Sequence, residues 1–336
     1  MKPSVFKEFT KIAIAHKHSF LVKSAPGVGK TEIISQACEE TQTHVIVTHP
    51  VVSDPTDYKG LPFMVEEQGR KKARFLPFGD LEDLIMATEN TAFFMDDLGQ
   101  APPSVQAAVM QLILGRKING HEVSDTVSFI GATNRKSDKA AVTGILEPVK
   151  SRFRTIIELQ ADVDDWVAWA ARNDIPPEMI GFIRWRPELL HNFTPTQDMT
   201  NSPCPRTIEN VAHWVKVGLP KEMELEVYSG AAGEGLAGEL VGYLRMYRDL
   251  PDLDNIIKYP NKAKIDGEPN IMYAICAGVA RKATIKNMEN IVKYAGRISA
   301  EFSVLLIRDA VNFNEEVVET DAFIKWASDH EDVLVG

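Results

Sequence analysis

The chain has 336 residues, 44% apolar and 25% charged, a globular balance that excludes a disordered or fibrous protein and leaves room for a core plus a second domain. Its formal net charge of −10 and pI near 5.4 argue against a broad surface for nucleic acid or anionic membrane, and no apolar run approaches the roughly 18 residues of a membrane span. Cys38, Cys204 and Cys276 lack paired spacing and the eight histidines form no HExxH-type pair, so neither a disulfide framework nor a zinc site is expected, and a reducing, cytoplasmic setting fits.

Met1-Lys2-Pro3 leads into a mixed amphipathic segment rather than a signal peptide, and Val5 to Ala15 carries Phe6, Phe9, Ile12 and Ile14 at near-helical spacing. Phe20 to Lys23 then reads as a short buried strand that breaks into Ser24-Ala25-Pro26-Gly27-Val28-Gly29-Lys30-Thr31-Glu32, with helical character from Glu32 to Glu40. A strand, a glycine-bearing loop and a helix start in that order form a phosphate cradle. Backbone N–H groups turn onto the phosphates, Lys30 reaches the β- and γ-phosphates, and the Thr31 hydroxyl is the expected magnesium ligand. Pro26, Gly27, Val28, Gly29, Lys30, Thr31 and Glu32 are the residues expected to hold the nucleotide. Ser24 stands where the general pattern begins with Gly.

His44 to Thr48 is a β-branched run, read as a second parallel strand. Asp54 to Pro62 is a constrained loop with a Tyr58-Lys59-Gly60 tip that suits either gripping another chain or a plain surface turn. The basic strip Arg70 to Arg74 reads as a solvated loop, followed by a helix from Leu81 to Ala87. Thr91 to Met95 is an apolar strand that delivers Asp96 and Asp97 at its end. Asp96 suits a nucleotide-bound magnesium, and Asp97 suits polarising an attacking water. After a helix from Pro102-Pro103 through Ile113, Gly115 to Val123 has the turn residues of a short hairpin. Val127 to Asn134 is another buried strand, with Asn134 at a tip able to hydrogen-bond the water or the γ-phosphate. Arg152 and Arg154 precede the last core strand, Thr155 to Leu159. Both are candidates to reach a neighbouring subunit's phosphate, against the alternative of an ordinary surface ion pair.

Taken in order, these residues resemble an AAA+ ATPase, in particular the MoxR-like branch: a Walker A loop (Ala25 to Thr31), Walker B acids (Asp96, Asp97), sensor 1 (Asn134), a Ser151-Arg152-Phe153 arginine-finger box, and a sensor 2 box in Ser202 to Thr207 with Arg206. The resemblance implies an α/β fold, with an αβα core over residues 1–159, a helical lid over 160–258 and a C-terminal helical extension over 259–336. It implies ATP and Mg²⁺ as cofactors, Asp97, Asn134, Arg152 and Arg206 as catalytic residues, and Thr31 and Asp96 as metal ligands. Assembly would be a homo-oligomeric ring, a hexamer, acting on a protein client such as a von Willebrand factor A-domain protein. It also places Asp54 to Pro62 toward a central pore and Thr48 or His49 near the second acid. Asp97 departs from the usual Glu of such hydrolases. Two alternatives stand beside the protein-remodelling reading. A nucleic-acid motor or loader conflicts with the acidic charge, while a slowly hydrolysing scaffold is compatible with Ser24 and Asp97.

Beyond residue 160 the sequence reads as helical, with segments at Asp164 to Ala170, Met179 to Leu190, Arg206 to Val217, Met223 to Tyr247, Ile271 to Lys282, Ile285 to Ala295, Ala300 to Val311 and Thr320 to Ser328. Gly230 to Gly238 reads as a joint. Trp166, Trp169, Trp185 and Trp214 are expected to pack in a core.

Overall fold

In the computed structural model residues 1–138, 144–196 and 198–330 are described, and they divide into two compact units. The first comprises Met1–Gln160 with Phe193–Pro195. It opens with α1 (Pro3–Ala15), then β1 (Phe20–Ser24), α2 (Lys30–Glu40), β2 (His44–Thr48), α3 (Pro55–Lys59), β3 (Leu61–Glu67), β4 (Arg70–Leu76), α4 (Asp80–Met86) and β5 (Thr91–Met95). It continues through α5 (Pro103–Gly115), β6 (Lys117–Ile118), β7 (His121–Glu122), β8 (Val127–Asn134), α6 (Glu147–Lys150) and β9 (Thr155–Glu158).

Five strands pair in parallel in the order β2-β5-β8-β1-β9. The central ones are apolar along almost their whole length because both faces are covered: β5 is buried throughout, and β8 is buried up to Asn134. Phe93 and Phe129 meet edge to face at 6.1 Å between ring centroids within this core. The registers align Ser24 with Asn134 and Met95 with Gly131. Consequently the carboxyl ends of β1, β5 and β8 open side by side, the usual place for a ligand in a parallel sheet.

The segment between β2 and β5 departs from the sequence expectation. Asp54 to Lys59 is a short helix, closed at its start by a capping box in which Asp54 accepts from Thr56 N and Asp57 accepts from Asp54 N. Tyr58, expected at a gripping tip or a surface turn, is buried and shares a hydrogen bond with Thr48 Oγ1 at 3.0 Å while donating to Ser53 Oγ at 3.1 Å. The basic strip expected as a loop is β4, paired antiparallel with β3 around a Gln68-Gly69 turn whose φ values are both positive. Phe63, Met64, Phe75 and Leu76 on this hairpin are exposed, so no buried face advertises it through hydrophobic alternation. The small β6–β7 hairpin fastens to its base: Asn119 Nδ2 donates to Lys59 O and His121 Nε2 lies on Phe75 O, both at 2.8 Å.

The second unit holds Ala161–Asn192 and the chain from Thr196 on, and is helical among the described residues. Its helices are α7 (Val163–Arg172), α8 (Pro177–Trp185), α9 (Pro205–Val217), α10 (Lys221–Ala232), α11 (Glu234–Arg248), α12 (Leu253–Lys258), α13 (Pro269–Arg281), α14 (Met288–Ala295), α15 (Ala300–Phe313) and α16 (Asp321–Asp329). The run expected from Met223 to Tyr247 is broken at Gly233, whose φ of 93° ends one helix and begins the next. Helix α13 packs closely on α8 and α15, and on the α8 side Gly181 leaves room for the backbone at Tyr273 and Ala274. Trp166, Trp169 and Trp185 join the core, but Trp214 is 44% exposed, because the buried face of α9 is formed by Ile208, Val211 and Ala212. No helix among the described residues is long and apolar enough to cross a membrane.

Candidate nucleotide-binding site

The loop between β1 and α2 is shaped by two backbone positions that side chains disfavour: Gly27 at φ 73° and Gly29 at φ 103°. Gly29 is the residue before α2 and has no side chain to cap that helix. The N–H groups of its first turn, at the positive end of the helix, suit a phosphate anion. Ile34, Ala37 and Cys38 bury the inner face of α2 and fix the loop against the sheet. Pro26 and Gly27 are half-buried and Val28 is buried, whereas Glu32 is exposed and accepts from Gln36 Nε2 at 2.9 Å on the helix surface.

Four elements bring their polar side chains together above the strand ends. Lys30 Nζ donates to Ser24 Oγ at 2.9 Å and to Asn134 Oδ1 at 2.8 Å. Thr31 Oγ1 donates to Asp96 Oδ2 at 2.7 Å, while Asp96 Oδ1 accepts from the Asp97 amide at 3.0 Å. Asn134 Nδ2 in turn donates to Asp97 Oδ1 at 3.4 Å, which closes the network from the loop through β8 to the end of β5. Asp97 adopts a left-handed backbone conformation, φ 55° and ψ 30°, where the chain turns from β5 into Leu98–Gln100.

Magnesium fits the facing Thr31 hydroxyl and Asp96 carboxylate, two hard oxygen donors on one side of the loop. Among the described residues no three His, Cys, Asp or Glu side chains cluster to hold a metal. That donor set matches an ion that takes one or two protein oxygens and fills its shell from phosphate and water.

Arg152 and Arg154 make no side-chain hydrogen bond to this network among the described residues. Arg152 is half-buried and its guanidinium donates to the Pro148 carbonyl of its own segment, while Arg154 is exposed and its amide donates to Ser19 O at 3.0 Å. Between them Phe153 is buried against Gly131 and Leu21. Arg206 belongs to the second unit, exposed in the first turn of α9, where Thr207 Oγ1 accepts from the Cys204 amide at 2.9 Å. Thr48, expected near the second acid, accepts from the Asp96 amide through its carbonyl at 2.9 Å, and its hydroxyl bonds Tyr58. It also hydrogen-bonds Asp80, whose carboxyl is raised above the usual range by burial, against the lowering effect of that bond. His49 is exposed. The part that sequence reasoning missed is Ser24. In the sequence it stands only as a departure from Gly, whereas in the fold its hydroxyl, one step before the loop, is an acceptor for Lys30.

No protein-family model matches the chain. A curated relative, the proteasome-activating nucleotidase of Methanoregula boonei, is 32% identical over 156 residues, covering 45% of this chain and 33% of that protein. The chain thus spans about a third of the length of the curated relative it matches. Among solved structures, the Thermotoga maritima RuvB Holliday junction branch migration motor is 16% identical with a TM-score of 0.42, covering 82% of this chain and 80% of that one. NtrX from Brucella abortus in complex with ADP is 11% identical with a TM-score of 0.41, covering 99% of this chain and 67% of that one. Superpositions this loose leave the sheet order and the loop geometry described above as the ground for the α/β assignment. The sequence match supports the AAA+ likeness and does not reach the MoxR-like branch.

Proposed function

We propose that this chain is an ATP-hydrolysing AAA+ machine of MoxR-like type, which assembles as a ring, a hexamer, and remodels or matures a protein client in the cytoplasm. The observation that carries the reading is the hydrogen-bonded set of Lys30, Thr31, Asp96, Asp97 and Asn134 at the start of α2. In it the loop amides and Lys30 bind and orient the β- and γ-phosphates, and Thr31 with Asp96 hold the magnesium side. Magnesium, when bound, neutralises charge building on the phosphate oxygens. Asp97 accepts a hydrogen bond from the attacking water, and Asn134 holds that carboxylate and the water in place. Arg206 contacts the γ-phosphate from its own chain and Arg152 enters from a neighbour. A ring supplies that neighbour, and a von Willebrand factor A-domain protein is the client class suggested by the MoxR-like resemblance.

Phosphate release from ATP tests the reading. Lys30→Ala is expected to abolish nucleotide binding, and Asp97→Asn to keep binding but lose turnover. Arg152→Ala is expected to lower turnover by a factor on the order of 10³. Mixing Arg152→Ala with Lys30→Ala subunits should recover part of the rate, and a confirmed mixed ring without recovery would remove Arg152 from the trans role and leave Arg154. The exposed basic strand β4 favours one second reading, a nucleic-acid-directed motor. Stimulation by single-stranded DNA that falls steeply with salt would establish it in place of the protein client. Negligible wild-type turnover despite tight ATP binding would instead mark a nucleotide-dependent scaffold.

A further inference from the structure

We propose that Ser24 is a positioning residue: its hydroxyl holds the Lys30 ammonium against Asn134, and through that amide sets the place of Asp97. The proposal rests on the nucleotide-hydrolysis reading above and concerns how the chain's own residues prepare the site. Ser24 is the last residue of β1, completely buried, and its Oγ donates to Ala25 O at 2.7 Å. With its only proton committed there, the oxygen presents lone pairs to Lys30 Nζ at 2.9 Å. The parallel register of β1 and β8 sets Ser24 directly beside Asn134, which is why one ammonium reaches both, the second at 2.8 Å.

The consequence lies in the Asn134 amide. Because Oδ1 accepts from a cation, the group cannot flip without placing its NH₂ against the ammonium, so Nδ2 is directed at Asp97 Oδ1, 3.4 Å away. Ser24, Lys30, Asn134 and Asp97 therefore form one directional chain that runs from the phosphate loop to the acid that polarises water. Glycine at position 24 has no acceptor to offer. Lys30 is buried, and a long, flexible side chain without that tether samples more rotamers and fixes Asn134 less well.

Nucleotide contacts from the loop amides do not involve the Ser24 hydroxyl, and Lys30 keeps its ammonium for the phosphates when that hydroxyl is lost, so the loss is expected to fall on turnover more than on binding. Ser24→Ala and Ser24→Gly should lower kcat for ATP about tenfold, the size of one hydrogen bond to a charged group, with KM changed less than about twofold. In an Asn134→Ala background, Ser24→Ala should bring no further loss in single-turnover rate, because the chain is already cut. Ser24→Thr, which keeps the hydroxyl, should restore most of the rate; thermal melting of each variant identifies any that is misfolded, and the Ala and Gly variants decide the matter if Thr does not fit. Unchanged kcat in folded Ser24→Ala, a rise confined to KM, or full additivity with Asn134→Ala would each overturn the proposal while leaving wild-type ATP hydrolysis standing. Failure of the wild type to bind a fluorescent ATP analogue with magnesium would overturn the hydrolysis reading, and this one with it.

Discussion

Tyr58 shows how a single side chain changes meaning once its partners are visible. Its ring meets Phe93 at 6.4 Å between centroids in the core under the sheet, and its hydroxyl sits between Thr48 and Ser53. Tyr58→Phe keeps the ring and removes the bonds of its hydroxyl to Thr48 and Ser53, so urea unfolding should report a loss of about 1 kcal/mol. The placement of Lys30, Thr31, Asp96, Asp97 and Asn134 together was legible in the sequence because each stands at a strand end or a helix start, and those ends are marked locally by glycines and apolar runs. Neither Tyr58 nor Ser24 carries such a mark. The first is defined by a partner ten residues away on β2, the second by the β1–β8 register, and register is a property of the folded sheet.

At the level of elements, the five parallel strands announce themselves as continuous apolar runs, whereas the β3–β4 hairpin does not, since both its strands face solvent and its Gln68-Gly69 turn is a weaker signal than Asn-Gly. Helix α12 was likewise hidden, being only six residues long between loop-forming sequences. Strand β8 makes a sharper point about packing. A β-carbon at Gly131 would lie 2.8 Å from Phe153 Cζ and 3.1 Å from Leu21 Cδ1, so the glycine makes room for the side chain that anchors the segment carrying Arg152. Gly131→Ala is therefore expected to destabilise the protein by about 1–3 kcal/mol, and Phe153→Leu in the same chain to recover part of it, both read from denaturant midpoints. A glycine in the middle of a buried strand hints at close approach, but which ring fills the space is not written nearby in the sequence.

Across the whole molecule, acidic side chains outnumber basic ones, 47 to 37, and most remain solvated, but a few are drawn into the helical unit. Asp309 is completely buried and paired with Arg184 at 2.7 Å, and Arg184 also reaches Asp164, which accepts from Arg308 at 3.3 Å. Glu178 on α8 is different. Burial, the dominant influence, pushes its carboxyl up, opposed by a backbone hydrogen bond and the charge of Arg248. A carboxyl raised in the folded state binds its proton more tightly there than in the unfolded chain, so its stabilising contribution is full below the unfolded pKa and fades as pH rises through the folded one. Glu178→Gln, which is neutral throughout, should raise the melting temperature at neutral pH and give no gain near about pH 4, where the wild-type carboxyl is largely protonated. An equal gain at both pH values would show that ionisation is not the cause.

The left-handed turn at Asp97 bears on how this site can diversify. Aspartate and asparagine enter that region of backbone space more readily than longer side chains, and Asp97 does so with its carboxylate turned to Asn134. A glutamate here would lengthen the reach of the carboxylate and at the same time lose that compatibility with the bend out of β5. Side-chain length and backbone shape at this position are consequently coupled: Asp97→Glu exchanges the acid and strains the turn as well.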